Sequence, residues 1–483
     1  MSARAVMVLG CTSGAGKSWL ATALCRWYLR KGYRVAPFKA QNMSNHARVV
    51  ALEDGGEGEM GSAQYFQALA AGVTPDVRMN PILLKPESET RSQVVVLGRV
   101  REDLRDRGWR DRSDELWEAA RAAYLSLICD YDLIIVEGAG SPAEINLAGN
   151  DFVNTRTALL SEAACLIVAD IDRGGAFAHL FGTHHLMHAD VRTQVRGFVL
   201  NRFRGDPLLL APGPQDLEML TGVPTVAVVP LIRDHGVPEE DAVPRDGGAG
   251  PRFVVVAAPH SSNLDEFEPL RSAGAHLSFV RDARAIQNAD WLILPGSKQT
   301  RADLAWLKQR GLHSAILAHI DARRPVLAVC GGLQMLGERL EDPDGLDGTH
   351  PGTEPGLGVL PIVTQYVERK QLSRTRARFG ALGGPWKLLS NLDVSGYEIH
   401  LGRSRPVPAA SYLRAALTGE GAGDGLGWQY GVVLGVYLHG LLENPAVLAA
   451  LTGSVGRSYD SAFEKVADVV EHSFTPGFLD SLL

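Results

Sequence analysis

The chain has 483 residues, with 48 Lys and Arg against 55 Asp and Glu, a formal charge of −7 at neutral pH. At roughly 100–200 residues per domain, that length implies about two to four domains, and 45% hydrophobic with 21% charged residues excludes wholesale disorder. The mild acidity excludes a nucleic-acid-coating role, and no apolar run approaches the ~20 residues of a membrane helix; Pro224–Ile232 is among the longest.

Met1-Ser2-Ala3-Arg4 runs straight into a strand-like Val6–Leu9, so no signal peptide is expected. Similar short runs follow at Leu133–Val136, Cys165–Ala169, Phe198–Leu200 and Val226–Val229. Each is apolar throughout and bounded by Gly, Pro or Asp, the pattern of strands buried on both faces of a parallel sheet. Between the first run and a plausible helix over Trp19–Arg30 lies Gly10-Cys11-Thr12-Ser13-Gly14-Ala15-Gly16-Lys17-Ser18. Glycines there let successive backbone N–H groups face phosphate oxygens, Lys17 suits the β/γ-phosphates, and the Ser18 hydroxyl suits Mg²⁺. Thr12 to Ser18 are therefore the candidate ATP- or GTP-binding residues. The usual P-loop spacing would put glycine at position 11; here it is one residue longer, counted from Gly10.

Around residues 233–252 the text turns to Gly, Pro and charge without periodicity, which reads as a linker. The α/β rhythm then restarts with Phe253–Ala258, Trp291–Leu294 and Val326–Val329. Pro325–Gly337 combines a buried strand, Cys330, the pair Gly331-Gly332 and a helix start, a nucleophile elbow written with a thiol. A helix N-terminus there lowers a cysteine pKa and offers N–H groups to an oxyanion. Leu294–Lys298, around Gly296, is a second candidate donor loop. His439, after another short apolar strand, is the best placed base, with His400 as competitor. Phe463, Val466, Ala467 and Val470 follow helical spacing and suggest an amphipathic closing helix. The expected architecture is α/β, two tandem α/β domains: residues 1–235, a linker 236–251, residues 252–448 and a helical tail 449–483. The five cysteines, Cys11, Cys25, Cys129, Cys165 and Cys330, are scattered without a C-x-x-C pair, so a reduced cytoplasmic enzyme is expected.

The longer P-loop spacing resembles the dethiobiotin-synthetase-like branch of P-loop proteins, which use ATP to activate a carboxylate. The resemblance implies that Lys39 contacts the phosphoryl groups and the carboxylate, and that Glu137 and Glu59 join Ser18 as Mg²⁺ ligands. It also implies that Asn201 reads the adenine edge. The second half resembles the class I glutamine amidotransferases, which implies Cys330 as nucleophile, His439 as base, and backbone amides near Gly331 and Gly296 as oxyanion hole. Those enzymes usually carry an acid two residues after the histidine, but position 441 is Leu, and Glu443 is no equivalent. The expectation is a Cys–His dyad without an orienting carboxylate, itself a mark of the cobyrinate-amidating family.

Gln41–Asn45, Arg78–Pro86, Arg91–Val95, Asp170–Gly175, Asn201–Asp206, Pro295–Lys298 and Gly396–Arg403 resemble that family in order along nearly the whole chain. The resemblance implies ATP-driven, glutamine-dependent amidation of carboxylates b, d, e and g of adenosylcobyrinic acid a,c-diamide through acyl phosphates. The implied partners are glutamine and an anionic corrinoid, with ATP and Mg²⁺, and without nucleic acid or membrane insertion; the oligomeric state is not legible. Arg48, Lys85, Arg91, Arg173, Arg202 and Arg204 fall in these motif regions and suit an anionic substrate. Asp170 and Asp172 are expected to line the site. Two rival readings are amidation at the a and c positions, and a partition-type switch ATPase carrying an inactive amidotransferase module.

Overall fold

The apolar runs assemble into two separate sheets. A computed structural model describes residues 3–87, 90–147, 149–238, 249–348, 350–408, 410, 412–419 and 425–483. In the first half a six-stranded sheet runs in the order Thr225–Pro230, Val195–Phe203, Ala164–Asp170, Arg4–Gly10, Leu133–Glu137, Val35–Phe38. Every neighbouring pair in it is parallel. Parallel pairing needs crossover helices on both faces, so these strands are buried on both sides, which is why they read as unbroken apolar runs. Arg4–Gly10 lies between Ala164–Asp170 and Leu133–Glu137. The P-loop, Asp170 and Glu137 therefore leave the sheet at one end, the carboxyl end, where ligands bind in such sheets.

The second half holds a seven-stranded sheet: His276–Val280, Arg252–Val256, Trp291–Leu294, Val326–Val329, Val433–Val436, Gly427–Tyr430, Arg414–Ala415. The first five strands are parallel and the last two join antiparallel. Val326–Val329 sits centrally, so Cys330 emerges between the strand leading to Gly296 and the strand leading to His439.

Two antiparallel excursions bring the halves together. The short pair Ala47–Ala51 and Glu57–Gly61 packs on the long hairpin Ile362–Phe379 and Asp393–Pro406. The helix Tyr459–Ser473 returns to the first half and lies along Lys17–Arg30. Its Phe463, Val466, Ala467 and Val470 are buried as their spacing predicts, and Arg26 and Arg30 pair with Asp460 and Asp468 at 2.5 and 2.7 Å. Residues 239–248 of the expected linker lie outside the described residues. No described helix is long and apolar enough to cross a membrane.

Candidate active site

At the end of the first sheet, Ser18, Lys39 and Glu137 meet. The Ser18 hydroxyl and the Lys39 ammonium both donate to Glu137 Oε1, each at 2.8 Å. Gln67 and Gln64 donate to Oε2 at 2.6 and 3.3 Å. Burial pushes the Glu137 carboxyl up, but the Lys39 charge and these hydrogen bonds outweigh it and hold the pKa below its ordinary value. Lys17 Nζ folds over the loop and donates to the Thr12 and Gly140 carbonyls, both at 3.1 Å. A cavity of about 830 Å³ opens beside the loop, with Gly14, Asp170, Asp172 and Arg202 on one wall and Asp265, Arg271 and Phe279 of the other half opposite.

Two expected ligands stand differently. Glu59 is fully buried and its two oxygens are taken by Lys85 and Lys370, one from each half. Burial works against that carboxylate, yet the two lysines hold it far below the usual carboxylate range. Glu59 is thus the centre of a buried ion-pair group, as Glu137 is with Lys39. Asn201 reaches the P-loop, but its amide Nδ2 donates to the Ala15 carbonyl at 2.9 Å and its Oδ1 accepts from the Arg202 N–H at 2.9 Å. Its side chain braces the loop.

The basic residues of the motif regions are likewise engaged. Arg48 pairs with Asp265, Lys85 with Glu59, Arg91 with Asp106, Arg173 and Arg202 with Asp170, and Arg204 with Asp172. Arg48 and Lys85 are buried in their ion pairs, whereas Arg91, Arg173 and Arg204 keep more than half of their side-chain surface exposed, and Arg173 shares Asp170 with Arg202.

In the second half, Cys330 takes φ 51° and ψ −106°, a left-handed conformation unusual for a residue with a side chain. Its N–H donates to the Val436 carbonyl at 2.8 Å, which ties the elbow to the strand that delivers His439. The glycine after it is required by close approach: a Cβ on Gly331 would stand 2.7 Å from the Ser297 nitrogen. A Cβ on Gly296 would stand 2.9 Å from His439 Cε1. Both expected donor turns and the expected base therefore surround one sulfur.

His439 Nδ1 lies 2.9 Å from Glu266 Oε1, and Glu266 Oε2 accepts the Gly440 N–H at 2.8 Å. Both side chains are buried. Burial disfavours the imidazolium, but the Glu266 carboxylate and a hydrogen bond with Cys330 outweigh it, and the His439 pKa is held up at about 10. This corrects the expected dyad: an orienting carboxylate is present, 173 residues before the histidine rather than two after it. Glu266 lies in the short 3₁₀ turn Leu264–Phe267, and no spacing rule anchored on His439 could have found it. His400, the competitor, is occupied elsewhere, with Nδ1 2.8 Å from the Gly402 carbonyl and Nε2 3.2 Å from Glu398.

A nucleotide loop with its acid and lysine, joined to a thiol, imidazole and carboxylate arrangement, defines an amide-forming ligase with its own glutamine amidotransferase domain. Residues 6–242 match the family described as the CobQ/CobB/MinD/ParA nucleotide binding domain, and residues 252–447 match the CobB/CobQ-like glutamine amidotransferase domain. The chain is similar to the cobyric acid synthase of Methylibium petroleiphilum, at 57% identity over all of this chain and 97% of that protein. It is 57% identical to that of Leptothrix cholodnii, over all of this chain and 97% of the relative. For Variovorax paradoxus the identity is 54%, over the whole of both chains. The chain belongs to the cobyric acid synthase family.

Proposed function

We propose that this protein uses ATP and glutamine to convert carboxylates b, d, e and g of adenosylcobyrinic acid a,c-diamide into primary amides. The Cys330 thiolate attacks the side-chain amide carbon of glutamine, and N–H groups near Gly331 and Gly296 take the developing oxyanion. The C–N bond breaks, the nitrogen takes a proton from the His439 imidazolium, and ammonia leaves. Water, giving a proton back to His439, hydrolyses the glutamyl thioester to glutamate. Glu266 fixes the imidazole so that its other nitrogen faces sulfur.

In the first half, a substrate carboxylate oxygen attacks the γ-phosphorus of ATP, releasing ADP and forming an acyl phosphate. Ammonia attacks the acyl carbon, phosphate leaves with the C–O electron pair and takes up a proton from the nitrogen, and a primary amide remains. Lys17 and Lys39 are placed to balance the charge on the transferring phosphoryl group. Ser18 and Glu137 fit a magnesium ion, since their oxygens meet at 2.8 Å and Mg²⁺ prefers one or two protein oxygens completed by phosphate and water. When bound, that ion supplies charge neutralisation at the phosphates. Making ammonia beside its acceptor raises its effective concentration over the dilute free base in solution.

The observation that carries this reading is the convergence of Cys330, His439, Glu266 and Gly296 in one half while Ser18, Lys39 and Glu137 converge in the other. The test is mass spectrometry of the corrinoid after incubation with ATP, Mg²⁺ and amide-¹⁵N glutamine, beside Cys330→Ala. The expected result is four successive labelled amidations, lost in the variant, in which high ammonium restores amidation without the label. Amidation of cobyrinic acid at a and c instead would refute the substrate assignment. ATP hydrolysis without any amidation would refute the ligase reading.

A further inference from the structure

Arg48, from the strand Ala47–Ala51, reaches across the interface between the halves. It is 1% exposed. Its guanidinium pairs with Asp265 Oδ2 at 2.6 Å and also with Glu443, while its Nε donates to Ser62 Oγ at 3.2 Å. Ser62 Oγ in turn donates to Asp265 Oδ2 at 2.5 Å. Asp265 immediately precedes Glu266, the acid on His439, and Glu443 follows His439 closely in the chain. Next to Arg48, the Ala47 N–H donates to Asn263 Oδ1 at 3.0 Å, and Asn263 Nδ2 donates to the Tyr397 hydroxyl at 3.0 Å. Tyr397 stacks on His439 with 5.3 Å between ring centres, and the two exchange backbone hydrogen bonds at 2.9 and 3.1 Å. Arg48 also lies over the Tyr397 ring, 5.4 Å from its centre.

Two adjacent residues of the ATP half thus grip both ends of the turn Asn263–Glu266. The same strand is reached from Lys39 through the chain Gln41–His46, so it extends from the phosphoryl-transfer end to the glutamine end. We propose that Arg48 is a positioning residue for glutamine cleavage: seated between Asp265 and Glu443, it holds Glu266 on His439. Glutaminase competence then depends on the ATP half being docked. This inference rests on the proposed glutaminase reading of Cys330 and His439.

The environment makes the grip specific. Arg48 faces the carboxylates of Asp265 and Glu443 and the rings of Tyr65, Phe66 and Tyr397, and His46 lies 3.4 Å from the other oxygen of Asp265. Removing its charge takes the guanidinium from the buried Asp265 and from the partly exposed Glu443, and the turn that carries Glu266 must rearrange.

The experiment uses full-length Arg48→Met, Arg48→Lys and Asn263→Gly, the last chosen because Asn263 has φ 54°, which glycine adopts freely. Glutamate release from glutamine, its pH profile, and corrinoid amidation with ammonium are measured side by side. Arg48→Met is expected to lower the glutaminase kcat by about tenfold or more with little change in KM. Its alkaline limb moves to lower pH, because His439 loses its fixed carboxylate, while ammonium-dependent amidation stays within about twofold of wild type. Arg48→Lys restores part of the rate. If Arg48→Met does not fold, Asn263→Gly carries the test, with the same selective loss expected. Unchanged glutaminase in the folded variants, or equal loss with glutamine and ammonium and an unmoved pH profile, overturns the proposal. A wild-type protein that releases glutamate but never amidates the corrinoid would sink the proposed substrate, leaving the role of Arg48 still decided by the glutaminase arm.

Discussion

Replacing Glu266 by Gln preserves the shape of the side chain and an oxygen for the Gly440 N–H, and removes only the charge beside His439. The interval from the ordinary 6.5 of histidine to about 10 corresponds to about 5 kcal/mol in favour of the imidazolium, at about 1.4 kcal/mol per tenfold. Burial opposes that balance, and Glu266 supplies the largest favourable share, with Cys330 adding to it. Without the carboxylate, only Cys330 still opposes burial, and the His439 pKa falls. The expected consequence is a fall in glutaminase kcat of up to about 10⁴, the loss seen when an orienting carboxylate is neutralised in a catalytic triad. Glutamate release followed from pH 5.5 to 10.5 is the assay. The wild-type rate should fall on an alkaline limb near 10, and the limb of Glu266→Gln should lie at clearly lower pH. Stability carries the same sign: a raised folded pKa contributes fully below about 6.5 and is lost as pH rises through about 10, so the wild type's advantage over the variant shrinks across that window. Superimposable pH profiles for the two proteins would refute the reasoning.

Two further outcomes follow from distances already given. Lys39→Met removes the ammonium 2.8 Å from Glu137, both buried; amidation should fall at least about 10³-fold with either nitrogen source while glutamate release persists, and stability should drop by about 3–5 kcal/mol from the uncompensated carboxylate, read by urea denaturation. Gly296→Ala places a methyl 2.9 Å from His439 Cε1 and 3.0 Å from Ser262 Oγ; glutamine-dependent turnover should fall about tenfold or more, ammonium-dependent turnover should hold, and melting should report about 1–3 kcal/mol of overpacking.

Much of this was legible in sequence because it is local. Strands buried on both faces must be apolar throughout, so Val6–Leu9 and Val326–Val329 announced parallel sheets, and the loops leaving them could be read as a phosphate cradle and a thiol elbow. Phe463, Val466, Ala467 and Val470 announced a buried helical face. The pairing of charges was not local. Glu59 and Arg48 had the residue types expected for metal and anion binding, yet a buried charge must find its counterion wherever the fold offers one, and Lys370, Asp265 and Glu443 are distant in sequence.

The sequence alone therefore determined the two α/β halves, the P-loop and the Cys330 elbow, since each is a run of neighbouring residues whose chemistry depends on spacing. Only the tertiary structure decided that His439 rather than His400 faces Cys330, that Glu266 stands behind it, and that Arg48 secures the turn carrying Glu266. Those are choices among side chains separated by tens to hundreds of residues, and they are settled by which loops the packed sheets and the interface between the halves bring within hydrogen-bond reach.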